Sequence, residues 1–121
     1  MILLDTNAVI WIDRGHPRVR PLIRSRQRLF LSPATLLELR ILQDAGRVQL
    51  SGGRDAIAHD DRWVLDEPPS LAWFQQAAEI GWTRDPFDRL LAAHAQMRGW
   101  RLATADQNTL HNLGPSGSVE L

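Results

Sequence analysis

The chain has 121 residues, a formal net charge of zero and no cysteine. This length predicts a single domain over residues 1–121, with one hydrophobic core. Zero net charge excludes broad electrostatic clamping of nucleic acid, and the lack of cysteine excludes disulfides, thiolate metal sites and a cysteine nucleophile.

All 14 basic residues are arginines, and six of them crowd residues 14–28. The six are Arg14, Arg18, Arg20, Arg24, Arg26 and Arg28. A solvated face is the simplest interpretation of this cluster, and contact with phosphates or with an acidic partner is the alternative. No secretion signal and no run of about 18 apolar residues is present, so we expect a cytoplasmic protein without membrane contact.

The first half of the chain predicts alternating strands and helices. Residues 1–5 contain the apolar run ILL, typical of a buried strand, and TNAVIWI favours a helix capped from the turn before it. Pro17 and Pro21 bracket a turn and the start of an arginine-rich helix, and RLFLS indicates a second strand. Ser32 and Pro33 then begin a strongly apolar helix that ends near Gly46.

The second half begins with weaker signals. Between residues 47 and 69 we expect mostly loop, with WVL as a short edge strand. Helices are predicted for Ser70–Ile80, closed by Gly81, and for Pro86–Arg98, closed by Gly99. WRLAT indicates another strand, and SVEL a final short one. This alternation predicts an α/β fold in which both faces of a parallel sheet are covered, with ligand sites beyond the carboxyl ends of the strands.

Five acidic residues lie where such a fold would form a site: Asp5, Glu38, Asp85, Asp88 and Asp106. Carboxylates repel one another when they converge, so convergence would favour a hard divalent cation among them. Asp5 and Asp106 follow predicted strands, where each alone is better explained as a turn residue. Glu38 lies among leucines, and a salt bridge with Arg40 or another arginine is the alternative to a metal ligand.

Asp85 and Asp88 flank the start of the predicted Pro86–Arg98 helix. Asp85 directly precedes proline and is typical of an N-cap, whereas an acid at position 88 also suits the helix dipole. Asp88 shares a helix face with Leu91, Ala92 and Ala95, which predicts that this side chain points inward.

Histidines and tryptophans give weaker signals. The four histidines, at positions 16, 59, 94 and 111, lack a metal-ligand spacing and are interpreted as surface or helix-face residues. Trp11, in the apolar VIWI segment, is a candidate subunit contact.

Four segments follow one another over nearly the whole chain: LLDTNAVIW, LELRIL, RDPFDRLLAAHA and LATAD. In this order they together resemble a PIN domain, specifically the VapC-type ribonuclease toxins of type II toxin-antitoxin modules. The resemblance implies a three-layer sandwich with a central, mainly parallel sheet of four or five strands flanked by helices. It assigns Asp5, Glu38, Asp88 and Asp106 to the acidic metal site, with Asp85 as an acidic neighbour. Thr104 and Asn7 are candidate helpers.

The resemblance also implies an Mg²⁺-dependent endoribonuclease, with Mn²⁺ as the alternative ion, that forms a homodimer and is inhibited by a cognate antitoxin. Four carboxylates suit this chemistry because they can hold one or two Mg²⁺ ions that activate water against an RNA phosphodiester. Two other families with a parallel sheet, the response-regulator receivers and the aspartate-nucleophile phosphatases, also place an acid at the end of the first strand. Both typically rely on a lysine, and the absence of lysine from this chain argues against them. A PIN-like binding module without catalysis and a PIN nuclease that is not a toxin remain the alternatives.

Overall fold

The computed structural model describes residues 1–53 and 55–121. Its strands are β1 (Ile2–Leu4), β2 (Leu29–Leu31), β3 (Val64–Leu65), β4 (Arg101–Thr104) and β5 (Ser118–Glu120). Its α-helices are α1 (Thr6–Arg14), α2 (Arg20–Arg24), α3 (Pro33–Asp44), α4 (Ser70–Ala78), α5 (Pro86–Arg98) and α6 (Gln107–Gly117). Short 3-10 helices occupy Pro17–Val19 and Ile57–His59.

The five strands form one parallel sheet in the order β3-β2-β1-β4-β5. The central strand, β1, pairs through Ile2 with Leu29 on one side and with Arg101 on the other. Parallel neighbours require crossover connections, which place helices on the faces of the sheet. The predicted three-layer α/β sandwich is therefore confirmed.

Alternation along the strands divides the core between the two faces of the sheet. In β1, Leu3 belongs to one buried cluster, whereas Ile2 and Leu4 belong to the other. The same division separates Phe30 from its neighbours in β2. Burial on both faces explains why these strands read as continuous apolar runs in the sequence.

Helix α6 was not predicted, because TADQNTLHNL offers few apolar residues. The Asp106 side chain caps it, and a non-helical backbone at Gly114 breaks it before Pro115. The final strand predicted from SVEL is present as β5. Helix α4 ends at Ala78, closed by Glu79 rather than by Gly81.

Helix α3 is less buried than its leucine content suggests. Leu39 is buried, whereas Leu37 and Ile41 are 56% and 48% exposed. Only one stripe of the helix faces the core, so apolar residues off that stripe reach solvent. None of the helices in the described ranges has the length and apolar character needed to cross a membrane.

Candidate active site

Asp5 and Asp106 lie at the same edge of the sheet. Asp5 follows β1 and Asp106 lies two residues after β4, and these strands are direct neighbours. The backbone N–H of Asp5 donates to the carbonyl of Ala103 at 3.1 Å, which ties the two strand ends together. This is the carboxyl edge, where ligand sites of parallel sheets are found.

Both residues are helix N-caps that accept from the backbone N–H three residues on, rather than turn residues that accept from two residues on. Asp5 Oδ1 accepts the backbone N–H of Ala8 at 2.7 Å, at the start of α1. Asp106 Oδ2 accepts from the backbone N–H and the hydroxyl of Thr109, at 2.9 and 2.6 Å. Each cap uses one carboxylate oxygen, which leaves capping compatible with a further role for the second oxygen.

Glu38 is half-buried on α3 and is held by Thr6. The buried Thr6 hydroxyl donates to Glu38 Oε1, and its oxygen also lies 3.4 Å from the Thr35 hydroxyl. Glu38 forms no salt bridge with any arginine that the structure describes, so the alternative of a pair with Arg40 is wrong. Sequence reasoning missed Thr6, although it lies three residues before the buried Val9 and thus on an inward helix face.

Asp85 and Asp88 differ in exposure and in hydrogen bonding, as the sequence predicts. Asp85 is exposed, and its Oδ1 accepts the backbone N–H groups of Phe87 and Asp88 at 2.8 and 3.0 Å. Its predicted N-cap role is confirmed. Asp88 is half-buried, and Leu91 on the same helix face is 2% exposed, so the inward orientation is confirmed as well.

These carboxylates are close enough to influence one another. Burial raises the pKa of Asp5 to about 6, and the Glu38 and Asp106 carboxylates add to the rise. Burial also raises the pKa of Asp88 to about 7, with repulsion from Asp85, Asp106, Glu38 and Asp5 contributing. Burial and the Asp85 charge raise the pKa of Glu38, against the hydrogen bond from Thr6.

The acids influence one another's pKa values, but they do not form a metal site that is ready to bind an ion. Within residues 1–53 and 55–121, no three acidic or histidine side chains stand close enough together to hold an ion as arranged. The chemistry of the donor set nonetheless fits a hard divalent cation. These groups are all carboxylates, and burial and mutual repulsion raise the pKa values of two of them, Asp5 and Asp88, an effect that a bound cation would relieve.

The two candidate helpers differ in position. Thr104 is buried, its hydroxyl accepts the backbone N–H of Asp106 at 3.1 Å, and a hydrogen bond from it lowers the pKa of Asp5. It therefore links two of the acids. Asn7 is exposed in the first turn of α1.

A second group of titratable residues lies away from these acids and was not predicted. His94 is fully buried within α5, so its interpretation as a surface residue is wrong, whereas the alternative of a helix-face residue is confirmed. Its Nε2 lies 2.7 Å from Asp66 Oδ2, which also accepts from Arg98 Nε at 2.8 Å. The LLAAHA pattern carried a signal for this burial, since His94 lies three residues after Leu91 in an otherwise apolar run.

Comparison with known proteins identifies the fold. The sequence matches the model of the PIN domain over residues 2–114. No curated protein matches the chain significantly.

Among solved structures, a toxin-antitoxin complex from Klebsiella pneumoniae contains a chain with a TM-score of 0.72 and 18% identity, covering all of both chains. The VapBC2 complex of Rickettsia felis bound to a promoter DNA fragment gives 0.67 and 16%, covering 100% of this chain and 99% of that one. FitAcB from Neisseria gonorrhoeae gives 0.54 and 26%, covering 92% of this chain and 91% of that one. The match to the family model spans nearly the whole chain, and the chain therefore belongs to the PIN-domain family.

Proposed function

We propose that this protein is a divalent-metal-dependent endoribonuclease that acts as the toxin of a type II toxin-antitoxin pair. The observation that supports the proposal is the mutual electrostatic influence of Asp5, Glu38, Asp88 and Asp106, which four separate segments of the chain contribute. Structural caps alone would not require four segments to bring their acids together against mutual repulsion.

In this proposal Asp5, Glu38, Asp88 and Asp106 hold Mg²⁺ or Mn²⁺, with Asp85 beside them. When bound, the ion would neutralise the acids, activate water for attack on a phosphodiester and stabilise the leaving oxygen. Thr6 would orient Glu38 and Thr104 would orient Asp5 through their hydrogen bonds. No protein nucleophile is needed.

Cleavage is tested by incubating the purified protein with total RNA in Mg²⁺ or Mn²⁺ and then in chelator. We expect cleavage that chelator stops and that Asp5→Asn abolishes, because the substitution keeps the size of the side chain but removes its charge. Asp44→Asn is the matched control, since Asp44 is an exposed acid at the end of α3. Wild-type cleavage by Asp5→Asn would contradict the assignment, and no cleavage with either ion would favour a PIN-like binding module.

Metal binding has a readout that does not depend on activity. An ion that binds only the folded protein stabilises it by mass action, by about 1.4 kcal/mol at ten times its Kd. We expect Mg²⁺ to raise the melting temperature of the wild type and of Asp44→Asn, and to have little effect on Asp5→Asn. An unchanged melting temperature at saturating Mg²⁺ would contradict the proposed metal site.

The toxin role is supported by the resemblance of the sequence to VapC-type toxins and by similarity to a chain of a toxin-antitoxin complex from Klebsiella pneumoniae. We expect induced expression to stop growth, and co-expression of a small protein from the adjacent upstream reading frame to restore it. An active ribonuclease without an effect on growth would instead favour a PIN nuclease with another role.

A homodimer also remains part of the proposal. Helix α4 exposes Leu71 and Phe74, at 71% and 58%, whereas Trp11 is only half-exposed and stacks on His16. A contact through α4 would therefore bury more apolar surface than one through Trp11. Light scattering of wild type and Phe74→Glu tests it, and a monomeric wild type would overturn it.

A further inference from the structure

Trp82 differs from the other four tryptophans of the chain in its packing. Trp63 and Trp73 are buried, and Trp11 and Trp100 pack against the two apolar clusters of the core. Each of these four also lies against another ring or an arginine. Trp82 is partly exposed, belongs to neither cluster and has no ring or arginine against it within the described part of the chain. The hydrophobic core therefore does not require a tryptophan at this position.

The position of Trp82 is close to the acids of the proposed metal site. Trp82 lies in the loop of residues 79–85, between the end of α4 and the start of α5. Its carbonyl accepts the side-chain amide N–H of Asn108 at 3.0 Å. Asn108 is in the first turn of α6, two residues after Asp106, and Asp85 follows Trp82 by three residues. Two helix starts that carry these acids therefore flank the backbone of Trp82.

Hydrogen bonds hold the loop of residues 79–85 in place. Arg89 Nε donates to the carbonyl of Thr83 at 2.7 Å, and its Nη1 donates to the carbonyl of Ala78 at 3.4 Å. The Thr83 hydroxyl accepts the backbone N–H of Asp85 at 3.2 Å, and the buried Ile80 anchors the other end of the loop. A loop that is fixed before a ligand arrives loses little conformational entropy on binding.

Arg84, two residues after Trp82, adds an exposed positive charge to this loop. Its guanidinium forms no salt bridge and no hydrogen bond with the residues that the structure describes. Arg89 differs, because carbonyls of the protein use its guanidinium. Arg84 is therefore available to an anionic group of a ligand, and its charge favours the approach of a polyanion to a region that is otherwise acidic.

We propose that Trp82 and Arg84 bind the RNA substrate, Trp82 by stacking on one unpaired base and Arg84 by pairing with a neighbouring phosphate. The inference rests on the proposed ribonuclease function and adds to it the residues that hold a single-stranded segment beside the acids. Every base has a π-face, so the stacking tolerates different sequences, whereas the phosphate contact fixes the position of the backbone. Both residues act on the binding of RNA and not on the activation of water.

A nucleic acid explains this pair of residues better than a protein partner does. Of the strongly exposed apolar side chains in the described ranges, none lies in the loop of residues 79–85. An apolar side chain of a peptide would therefore have a single ring to contact. A base needs only one ring face, and the same nucleotide chain supplies the phosphate for Arg84.

The first test measures the cleavage of short fluorescent single-stranded RNAs by the full-length protein in Mg²⁺. Trp82→Ala should raise KM about tenfold and leave kcat nearly unchanged, because stacking is lost from the ground state and the transition state alike. Trp82→Phe should restore most of the loss, since phenylalanine retains a ring. Arg84→Gln should raise KM and reduce the slope of log KM against log salt by about 0.7, the value for one phosphate contact with a single strand.

The second test measures binding without cleavage, by fluorescence anisotropy of the same RNAs in chelator. An abasic site is placed at each position of the RNA in turn. At one position, removal of the base should raise the Kd of the wild type about tenfold, as expected for the loss of one stacked base. The same RNA should bind Trp82→Ala no more weakly than the intact RNA does, because the stacking partner is already missing.

Two substitutions outside the loop serve as matched controls. Trp11→Ala replaces another partly exposed tryptophan, and Arg47→Gln replaces another exposed arginine. Both controls should retain the KM, the Kd and the salt dependence of the wild type. Melting curves should show that every variant is folded at the temperature of the assay.

The outcomes separate this proposal from the proposed function. Cleavage by the wild type with unchanged KM, Kd and salt slope in Trp82→Ala and Arg84→Gln would overturn the RNA contacts and leave the ribonuclease standing. A loss of kcat without a loss of affinity in Trp82→Ala, or no rescue by Trp82→Phe, would also overturn them, because Trp82 would then only support the loop.

Absence of cleavage by the wild type would contradict the proposed function, and the anisotropy measurements would then decide whether Trp82 and Arg84 bind RNA. A wild type that neither cleaves nor binds these RNAs would overturn both proposals and would leave a protein as the partner of this loop.

Discussion

Asp66 and Asp88 are both partly buried aspartates, yet their surroundings shift their pKa values in opposite directions. Burial alone would raise the pKa of Asp66, but hydrogen bonds from Arg98 and His94 outweigh it and lower the pKa. Asp88 has acids for neighbours instead, and burial together with their repulsion raises its pKa to about 7. A carboxylate with cationic partners supports the fold, whereas one among other carboxylates opposes it.

The two environments also differ in what they connect. Asp66 directly follows β3, and its N–H donates to the carbonyl of Leu31 at 2.9 Å. Its contacts with His94 and Arg98 therefore join α5 to the end of β3. Within this Asp66 cluster, Arg98 and His94 of the protein itself pair with the Asp66 carboxylate. Among residues 1–53 and 55–121, the neighbours that shift the pKa of Asp88 are all acids, so a bound cation would relieve their repulsion.

The largest expected effects on cleavage and stability come from replacing Asp88 or Asp66 with asparagine, one at a time. Asp88→Asn should reduce metal-dependent RNA cleavage by about 1000-fold or more, equivalent to about 4 kcal/mol, while metal-free stability stays equal or rises slightly. Asp66→Asn should do the reverse, lowering the free energy of unfolding by about 2 kcal/mol and leaving cleavage by the folded protein intact. Urea unfolding and cleavage rates of both variants check this. Wild-type cleavage by Asp88→Asn would contradict the different roles expected for Asp88 and Asp66.

Within the Asp66 cluster, His94→Ala should cost about 3 kcal/mol of stability. The substitution opens a cavity beside Trp73, whose ring lies 5.4 Å from that of His94, and leaves Asp66 with one partner fewer. Ala92→Gly, at a buried site two residues earlier, controls for a change in the helix backbone and should cost about 1 kcal/mol. Equal unfolding free energies for the two variants would show that the His94 contacts contribute little.

Asp85→Ala should have a smaller effect, confined mainly to the helix start. Loss of the cap on Phe87 and Asp88 should lower stability by about 1 kcal/mol and reduce cleavage only in part. Asp85→Ser is the matched variant, because serine retains a capping oxygen without the charge. If Asp85→Ala were fully stable but inactive, Asp85 would belong with the metal ligands and not with the caps.

The smallest expected effect is a dependence of stability on pH from the Asp66 cluster. Burial lowers the pKa of His94, so below its ordinary value of 6.5 the unfolded chain binds a proton that the folded protein does not. Stability from this residue therefore falls as the pH drops below 6.5, and Asp66, whose pKa is lowered, loses its contribution at still lower pH.

His94→Gln cannot titrate and isolates this effect from that of the other acids. The difference in unfolding free energy between wild type and His94→Gln should shrink as the pH is lowered below 6.5, and should be constant above it. Urea unfolding over a pH series measures it. A difference that does not change across 6.5 would mean that His94 titrates alike in the folded and unfolded chains.

Local sequence patterns predicted most of the helices and strands, because the ends of these elements depend on residues that are neighbours in the sequence. Helix α5 spans Pro86–Arg98 as predicted, since its N-cap, its proline and Gly99 define both ends chemically. Helix α6 escaped prediction because it is held less by its own composition than by its cap and by packing against α5 and β4. The pairing of His94 with Asp66 escaped as well, because the two residues are 28 positions apart in the sequence.

By itself the sequence determined a sheet covered on both faces, the acids at the ends of β1 and β4, and the caps at Asp85 and Ser32. These features follow from apolar runs and short-range hydrogen bonds, which the chain carries locally. Only the tertiary structure decided which acids influence one another, that Thr6 holds Glu38, and that Asp66 pairs with the Arg98 cation whereas the neighbours that shift the pKa of Asp88 are other acids. Pairing of distant segments sets those neighbours, and the energy of a charge depends on its neighbours far more than on its own sequence context.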